Sequence, residues 1–261
     1  MRLISPFPGS MLAGVVIAAT CANAADMYAY GGLKDGPAAT ILPWAGFYAG
    51  INGGGSFGAS ENLVVTNNVD PSQADIGQFY RHAGFGGGQL GYNFGSFGRN
   101  FVFGLETDLQ GSGIDSGFTR TLNYEGAPAT FNASQVIDYF GTVRGRIGYA
   151  VDGVLIYATG GFAYADVQTK VSISSSYKSG FTNSLSGDEV ETGYAVGAGL
   201  EYALNPVWSV KAEYQYIDLG DQTVTGERVG LTGVDSMRTD NNFHTVRIGL
   251  NYHINDYAPL K

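Results

Sequence analysis

Residues 101–110 alternate between apolar and polar side chains, and this two-residue period constrains the chain more than any other feature. Phe101 and Leu105 stand at odd positions, whereas Glu106 and Asp108 stand at even positions. An α-helix would scatter these side chains around its circumference. A β-strand places every acid on one face and every apolar group on the other. The period therefore predicts a strand with one charged face and one apolar face.

Seven further segments repeat this pattern, so the sequence predicts eight strands in all. They cover residues 44–57, 84–94, 101–110, 136–150, 154–167, 192–204, 207–217 and 243–254. Tight reversals join them at Gly95–Asn100, Val151–Gly153 and Asn205–Pro206. The other connections, near 58–82, 112–135, 169–190 and 219–241, are long and rich in Ser, Thr, Asn, Asp and Gly. Short turns on the periplasmic side and long loops outside the cell are typical of membrane β-barrels.

The polar faces of these strands carry charges of both signs. The predicted lumen charge network consists of Glu106, Asp108, Asp138, Arg144, Arg146, Glu201, Lys211, Glu213 and Arg247. The opposite faces hold more aromatic rings than the lumen of one small barrel could contain. We therefore expect the rings to face lipid and the charges to pair inside, since an eight-stranded barrel is just wide enough for side chains to fill it. Such a lumen is predicted to be a crosslinked plug.

Aromatic side chains near the strand ends are predicted to lie at the lipid interface. They are Phe47, Tyr92, Tyr139, Tyr149, Trp208, Tyr214, Tyr216 and Tyr252. We interpret them as girdle residues in preference to a platform for a ligand. The fold class is therefore all-β: an eight-stranded antiparallel transmembrane β-barrel.

Composition and motifs argue against several other functions. The net charge is -9 without any cluster of Lys and Arg, which excludes nucleic-acid binding. His82, His244 and His253 lack a second His or a Cys at metal-binding spacing. The glycines of 86–91 match G-x-G-x-x-G, but strand-like residues follow them where a dinucleotide site needs a helix. We predict no catalytic residue, no metal site and no cofactor.

The N-terminus has the features of an export signal. Residues 1–24 contain Arg2, an apolar stretch and Ala22-Asn23-Ala24 as a cleavage site. Acylation of Cys21 as a lipoprotein is the alternative, but the residues before it fit that motif poorly. We predict a signal peptide at 1–24, a periplasmic-side linker at 25–42, an outer-membrane β-barrel at 43–254 and a C-terminal extension at 255–261.

Several motifs resemble those of the outer-membrane immunogenic proteins, small barrels of the OmpA-like porin superfamily. They are Trp44-Ala-Gly-Phe47-Tyr48-Ala-Gly50, the fifth-strand segment Tyr157–Tyr164, the segments Gly197–Tyr202 and Lys211–Tyr214, and the closing segment His244–Tyr252. The resemblance covers residues 43–254 and implies an eight-stranded barrel in the outer membrane of a Gram-negative bacterium. Chains of this family commonly end on an aromatic residue of the last strand, whereas this chain continues past Ile254. This departure from the family pattern implies one of two outcomes: Tyr252 and its neighbours act as an internal assembly signal, or assembly is less efficient.

Together these observations predict a non-enzymatic barrel with an envelope-structural, surface-exposed role. The alternative is a narrow porin for passive diffusion of small hydrophilic solutes. The expected partners are outer-membrane lipid, lipopolysaccharide and the barrel-assembly machinery, with small solutes in the porin case.

Overall fold

The computed structural model describes residues 44–58, 63–67, 73–97, 100–124, 127–176, 181–227 and 234–254. Ten strands lie in these ranges: β1 (Gly46–Phe57), β2 (Leu63–Asn67), β3 (Gln73–Gly77), β4 (Ala83–Phe97), β5 (Phe101–Tyr124), β6 (Ala127–Val151), β7 (Val154–Ser175), β8 (Phe181–Ala203), β9 (Trp208–Glu227) and β10 (Val234–Ile254). Within the described residues, no helix has the length and apolarity needed to span a membrane. The predicted signal peptide, linker and C-terminal extension lie outside the described residues.

Eight of the strands form a closed antiparallel ring. Its order is β1-β4-β5-β6-β7-β8-β9-β10, and β10 pairs with β1 from Phe47↔Ile254 to Phe57↔His244. Closure leaves neither β1 nor β10 as a free edge along this length. The predicted all-β ring of eight antiparallel strands is confirmed. β2 and β3 form an additional hairpin that pairs with the first part of β10, opposite Asp235–Arg238.

The turns at one end of the ring are tight, as predicted. Val151 pairs with Val154 around a two-residue turn, in which Asp152 adopts a positive φ of 50°. This left-handed conformation suits an Asp-Gly hairpin. At the turn between β8 and β9, the Asn205 side chain accepts hydrogen bonds from the backbone N–H groups of the second and third residues after it, both at 2.9 Å.

The prediction of long loops at the other end is not confirmed, because strands occupy most of the residues concerned. β5, β6, β7, β8, β9 and β10 continue through much of 112–135, 169–190 and 219–241. The connecting segments between them are 125–126, 176–180 and 228–233. The segment 58–82 contains the β2–β3 hairpin.

The extended strands were missed because the polarity of their two faces inverts. Near the tight turns, apolar side chains such as Leu105 and Ile147 point outward and charged ones point inward. In the extensions, Phe131, Ile173 and Leu185 point inward and pack together. Short polar residues cover the outside, which resembles loop composition. The two-residue period is present throughout, but the apolar side chains change from the outer face to the inner face along each long strand.

Glycines at the seam between β1 and β10 allow a sharp test of the ring. A Cβ atom added at Gly54 would lie 2.1 Å from the Val246 carbonyl oxygen and 2.8 Å from the Arg247 Cα. At Gly55 the nearest atom would be the Ala83 carbonyl oxygen at an ordinary 3.7 Å. We predict that G54A strongly reduces the fraction of refolded protein with heat-shifted gel mobility, whereas G55A refolds like wild type. Equal refolding of the two variants would contradict this seam geometry.

Candidate functional site in the barrel lumen

The centre of the lumen holds a compact group of charged side chains. Arg144 donates to Glu106 and Glu213, both at 2.7 Å, and to Asp108 at 2.9 Å. Arg247 reaches the same three carboxylates, with its shortest contact of 2.6 Å to Glu213. Two guanidinium groups thus share three acids that come from two different strands. All five side chains are buried.

A second pair lies closer to the tight turns. Arg146 forms an ion pair with Glu201, and its guanidinium stacks 3.9 Å from the ring centre of Tyr157. Asn251 donates to Glu201 at 2.8 Å. Ser209 donates to the same carboxylate. Hydrogen bonds and the ion pair therefore satisfy the buried Glu201 carboxylate.

Lys211, Tyr48 and Tyr157 connect these groups. The Lys211 Nζ atom lies 2.9 Å from both carboxylate oxygens of Glu106. Tyr48 donates to Glu106 at 2.7 Å, and Tyr157 donates to Glu213 at 2.7 Å. Because these residues come from β1, β5, β7 and β9, the network ties distant strands of the ring across the lumen.

Eight of the nine predicted lumen charges come together in this network. The four cations are Arg144, Arg146, Lys211 and Arg247, and the four carboxylates are Glu106, Asp108, Glu201 and Glu213. Equal numbers of the two signs make the group neutral as a whole. A neutral, hydrogen-bonded group can be buried at far lower cost than isolated charges.

The prediction for Asp138 was wrong, because this residue lies outside the barrel. The register of β6 shifts between Ile137 and Phe140, where two residues face one residue of β7. This bulge turns Asp138 outward, and Gln168 donates to it at 3.1 Å. It also turns Ile137 into the lumen. A β-bulge reverses the faces of every residue beyond it, which strict alternation in the sequence does not reveal.

All eight predicted interface aromatics point out of the ring. Tyr139 and Tyr149 lie ten residues apart on β6, near opposite ends of a segment with an apolar outer surface. At about 3.3 Å per residue and a tilt near 40°, that separation spans about 25 Å, the height of the apolar band of membrane barrels. Phe47 packs on Tyr92 at 4.5 Å, and Trp208 packs on Tyr252 at 5.1 Å, both pairs near the tight turns. Tyr214 and Tyr216 lie towards the other end.

Apolar layers lie below and above the charge network. Towards the tight turns, the floor consists of Trp44, Val102, Ala150, Leu155 and Tyr157.

On the other side of the network, Phe140 makes edge-to-face contacts with Phe85 at 5.2 Å and Phe243 at 5.4 Å. Ile114 and Ile217 pack around these rings. We call these five residues the apolar septum. Along β6, Ala150, Arg146, Arg144 and Phe140 mark the floor, the network and the septum in order.

A second polar layer follows beyond the septum, outside the segments with an apolar outer surface. Arg81 is completely buried and donates to Gln135 at 2.7 Å and to Asn241 at 2.6 Å. Asn241 in turn donates to Glu191 at 2.5 Å. Burial lowers the pKa of the Arg81 guanidinium to about 10, and burial raises the pKa of the Glu191 carboxyl to about 7.

Sequence reasoning missed several residues of these layers. Tyr48 and Tyr157 fill the lumen where the neighbouring strand has glycine: a Cβ atom at Gly91 would meet the Tyr48 ring, and one at Gly199 would meet the Tyr157 hydroxyl. An inward Tyr beside a Gly on the next strand is therefore a signal that the sequence contains. Arg81 had no such signal, because its surroundings were predicted to be a loop.

The lumen network consists of ion pairs and hydrogen bonds between side chains. In the part of the chain that the structure describes, no three His, Cys, Asp or Glu residues are placed to hold a metal ion. The segment Gly86–Gly91 lies in the middle of β4. The glycine pattern therefore has no helix N-terminus to hold a phosphate. His244 points outward, with Nδ1 2.7 Å from the Tyr214 hydroxyl.

A closed ring with a charged lumen and an apolar exterior is the architecture of an outer-membrane barrel. The family model for the outer membrane protein beta-barrel domain matches residues 13–253. This chain belongs to that family. The outer-membrane barrel is 34% identical over 244 residues to the 31 kDa outer-membrane immunogenic protein of Brucella melitensis biotype 1, covering 90% of this chain and 94% of the relative. The resemblance inferred from the motifs and the location in the outer membrane are confirmed.

Two further comparisons involve more distant proteins. The barrel is 30% identical over 186 residues to the 22 kDa outer membrane protein of Rhizobium leguminosarum bv. viciae, covering 71% of this chain and 69% of that protein. Among solved structures, the outer membrane protein OprG from Pseudomonas aeruginosa is 12% identical, with a TM-score of 0.45, covering 81% of this chain and 98% of the OprG chain.

Removal of one partner from the network should be costly. We predict that R247A lowers the free energy of unfolding by about 3–5 kcal/mol, because Glu213 and Asp108 lose a buried counter-charge. E213A/R247A should cost less than the sum of the two single variants. Urea unfolding in micelles measures both effects. R238A, which removes an exposed ion pair with Asp221, is the control and should cost less than about 1 kcal/mol. Additive effects at Glu213 and Arg247 would contradict the pairing.

Glu191 should give the barrel a specific pH dependence. Its pKa is about 7 in the folded protein and lower in the unfolded chain, so folding favours the protonated form. Stability from this group is complete below about pH 4.5 and is lost as the pH rises through 7. We predict that E191Q removes this loss, about 1–2 kcal/mol after allowance for partial exposure, in unfolding midpoints measured from pH 5 to 8. The charge of the exposed neighbour Glu189 makes the smallest contribution to the raised pKa of Glu191, so E189Q should keep most of the wild-type slope. A slope that persists in E191Q would assign it to another group.

Proposed function

We propose that this outer-membrane barrel is closed and has an envelope-structural role, presenting its extended strands to the exterior. The observation that carries this proposal is the apolar septum above a neutral charge network. An ion that crossed the lumen would have to separate paired charges and then pass the contacts of Phe140 with Phe85 and Phe243. Both steps remove the ion from water without offering new ligands, which is unfavourable.

The proposed partners follow from the outer surface. The band of outward apolar side chains between the aromatic residues suits contact with outer-membrane lipid. Lipopolysaccharide would surround the strand extensions on the outer side. The closing strand β10 carries Tyr252 on its outer face, next to Trp208 on β9. We propose that the barrel-assembly machinery reads this part of β10 as an internal signal.

A narrow porin for small hydrophilic solutes is the alternative. It is favoured by the position of Arg144 and Arg146 on one lumen face of β6, where they could set a preference for anions. This function would require the septum rings to move apart and the ion pairs to open. We propose no catalytic role, since Tyr214, on the outer surface, occupies the hydrogen-bonding position next to the ring of His244.

Planar-bilayer recordings of the refolded barrel test this proposal. We expect no steady conductance from wild type, and none from F140A or R144A, because each single variant leaves either the network or the septum in place. F140A/R144A should produce current steps, because both seals are then weakened. Heat-shifted gel mobility of the protein recovered from the bilayer material controls for folding. Steady, ion-selective steps from wild type would replace the proposal with the porin function.

A further inference from the structure

The outer surface of the strand extensions has an unusual composition on β5, β6, β7 and β8. A shallow depression of about 500 Å³ lies across these four strands. Its polar lining, which we call the polar face, consists of Thr119, Asn132, Ser134, Lys170, Ser172 and Ser184. Thr119, Asn132, Ser172 and Ser184 form one row across the sheet, and Ser134 pairs with Lys170 in the next.

Short neutral side chains with hydroxyl or amide groups dominate this face. Thr119 donates to Asn132 at 2.8 Å, and Asn132 donates to Ser172 at 3.5 Å. Each hydroxyl and amide in the row has more donor and acceptor capacity than these bonds use. Protein surfaces that only need to be soluble usually carry many charges of both signs. The polar face instead offers closely spaced hydrogen-bonding groups on a nearly flat sheet.

One cation lies in this otherwise neutral surface. Lys170 is exposed, and among the described residues no carboxylate lies within 4.0 Å of its ammonium group. The chain as a whole has a net charge of -9, and the next row of the same outer surface holds Asp188 opposite Gln168. Among the described residues of the polar face, Lys170 is therefore the exception in charge. A partner that complements this face would carry many hydroxyl groups and at least one acidic group. Those are the features of an acidic saccharide.

The position of the polar face indicates where such a saccharide would come from. Further along the same strands, Leu109, Val143, Phe162 and Val196 form part of the apolar outer surface. Asp138, Asp166 and Asp188 also face outward, between that apolar surface and the polar face. The polar face lies beyond these carboxylates and points away from the barrel axis, like the residues that face lipid. A group that binds there would therefore stand beside the barrel in the same leaflet.

We infer that the polar face binds the acidic saccharide of lipopolysaccharide molecules in the surrounding outer leaflet. Lys170 pairs with a phosphate or carboxylate of the saccharide, and the neighbouring hydroxyl and amide groups bind its sugar hydroxyls. The inference rests on the proposed orientation, with the strand extensions outside the cell. It deepens the proposed function, because lateral binding of lipopolysaccharide would anchor the barrel in the leaflet.

Binding of a soluble saccharide to the refolded barrel in phospholipid nanodiscs tests the surface. The probe is deacylated, phosphorylated core oligosaccharide from rough lipopolysaccharide. We expect K170Q/S172V to bind more than about tenfold more weakly than wild type, because the variant loses the ion pair of Lys170 and a hydrogen bond of Ser172. T223V/R238Q is the matched control, because it removes a cross-strand hydroxyl and cation on β9 and β10. It should bind like wild type. Equal binding by the two double variants, or no binding by wild type, would overturn the inference.

A second arm tests the source of the saccharide. In nanodiscs that contain intact lipopolysaccharide, the polar face should already be occupied, so wild type should bind the soluble probe much more weakly than in phospholipid alone. Undiminished binding would show that the ligand arrives from outside the membrane and would overturn the lateral assignment. The planar-bilayer conductance of the same refolded protein separates this result from the proposed function. Steady currents with intact saccharide binding would refute the closed barrel and leave the polar face unaffected.

Discussion

The buried group of four cations and four carboxylates is the interaction on which the barrel depends. Removing each of these charges from water costs free energy. This cost is offset only when the partner charge lies at hydrogen-bonding distance. The partners come from strands on different sides of the ring, so the network forms only when those strands have the correct register. The seam between β1 and β10 meets this requirement because Gly54 lets β10 approach next to Arg247. Ring closure and charge pairing therefore support each other.

Polarity inverts along each long strand, and this inversion divides the barrel into two functional zones. Where the outside is apolar, the inside holds the charge network. Where the outside is polar, the inside holds the polar layer around Arg81 and an apolar cluster that includes Phe79, Phe131 and Met237. Each zone buries the groups that its surroundings would not accept, which is the general rule for side chains at a boundary between lipid and water. The same strands can thus cross the membrane and extend well beyond it without separate loop domains.

Charged and apolar layers alternate along the lumen. The apolar septum separates the charge network from the outer polar layer around Arg81. Arg81 also links the segment before β4 to Gln135 on β6 and Asn241 on β10. A barrel with the proposed closed lumen has its outer surface, including the polar face, as the place for interactions. The proposed structural role follows from this division.

The sequence by itself determined the eight-strand ring, the tight turns and eight of the nine lumen charges, because a two-residue period assigns each side chain to a face. It did not reveal that β6 shifts register at Ile137, so Asp138 was placed on the wrong side. It also did not reveal the strand extensions, whose outer residues look like loops, or the position of Arg81. Only the tertiary structure decided these points. Bulges, cross-lumen contacts and the inversion of polarity depend on which strands are neighbours, and a local pattern along one strand does not contain that information.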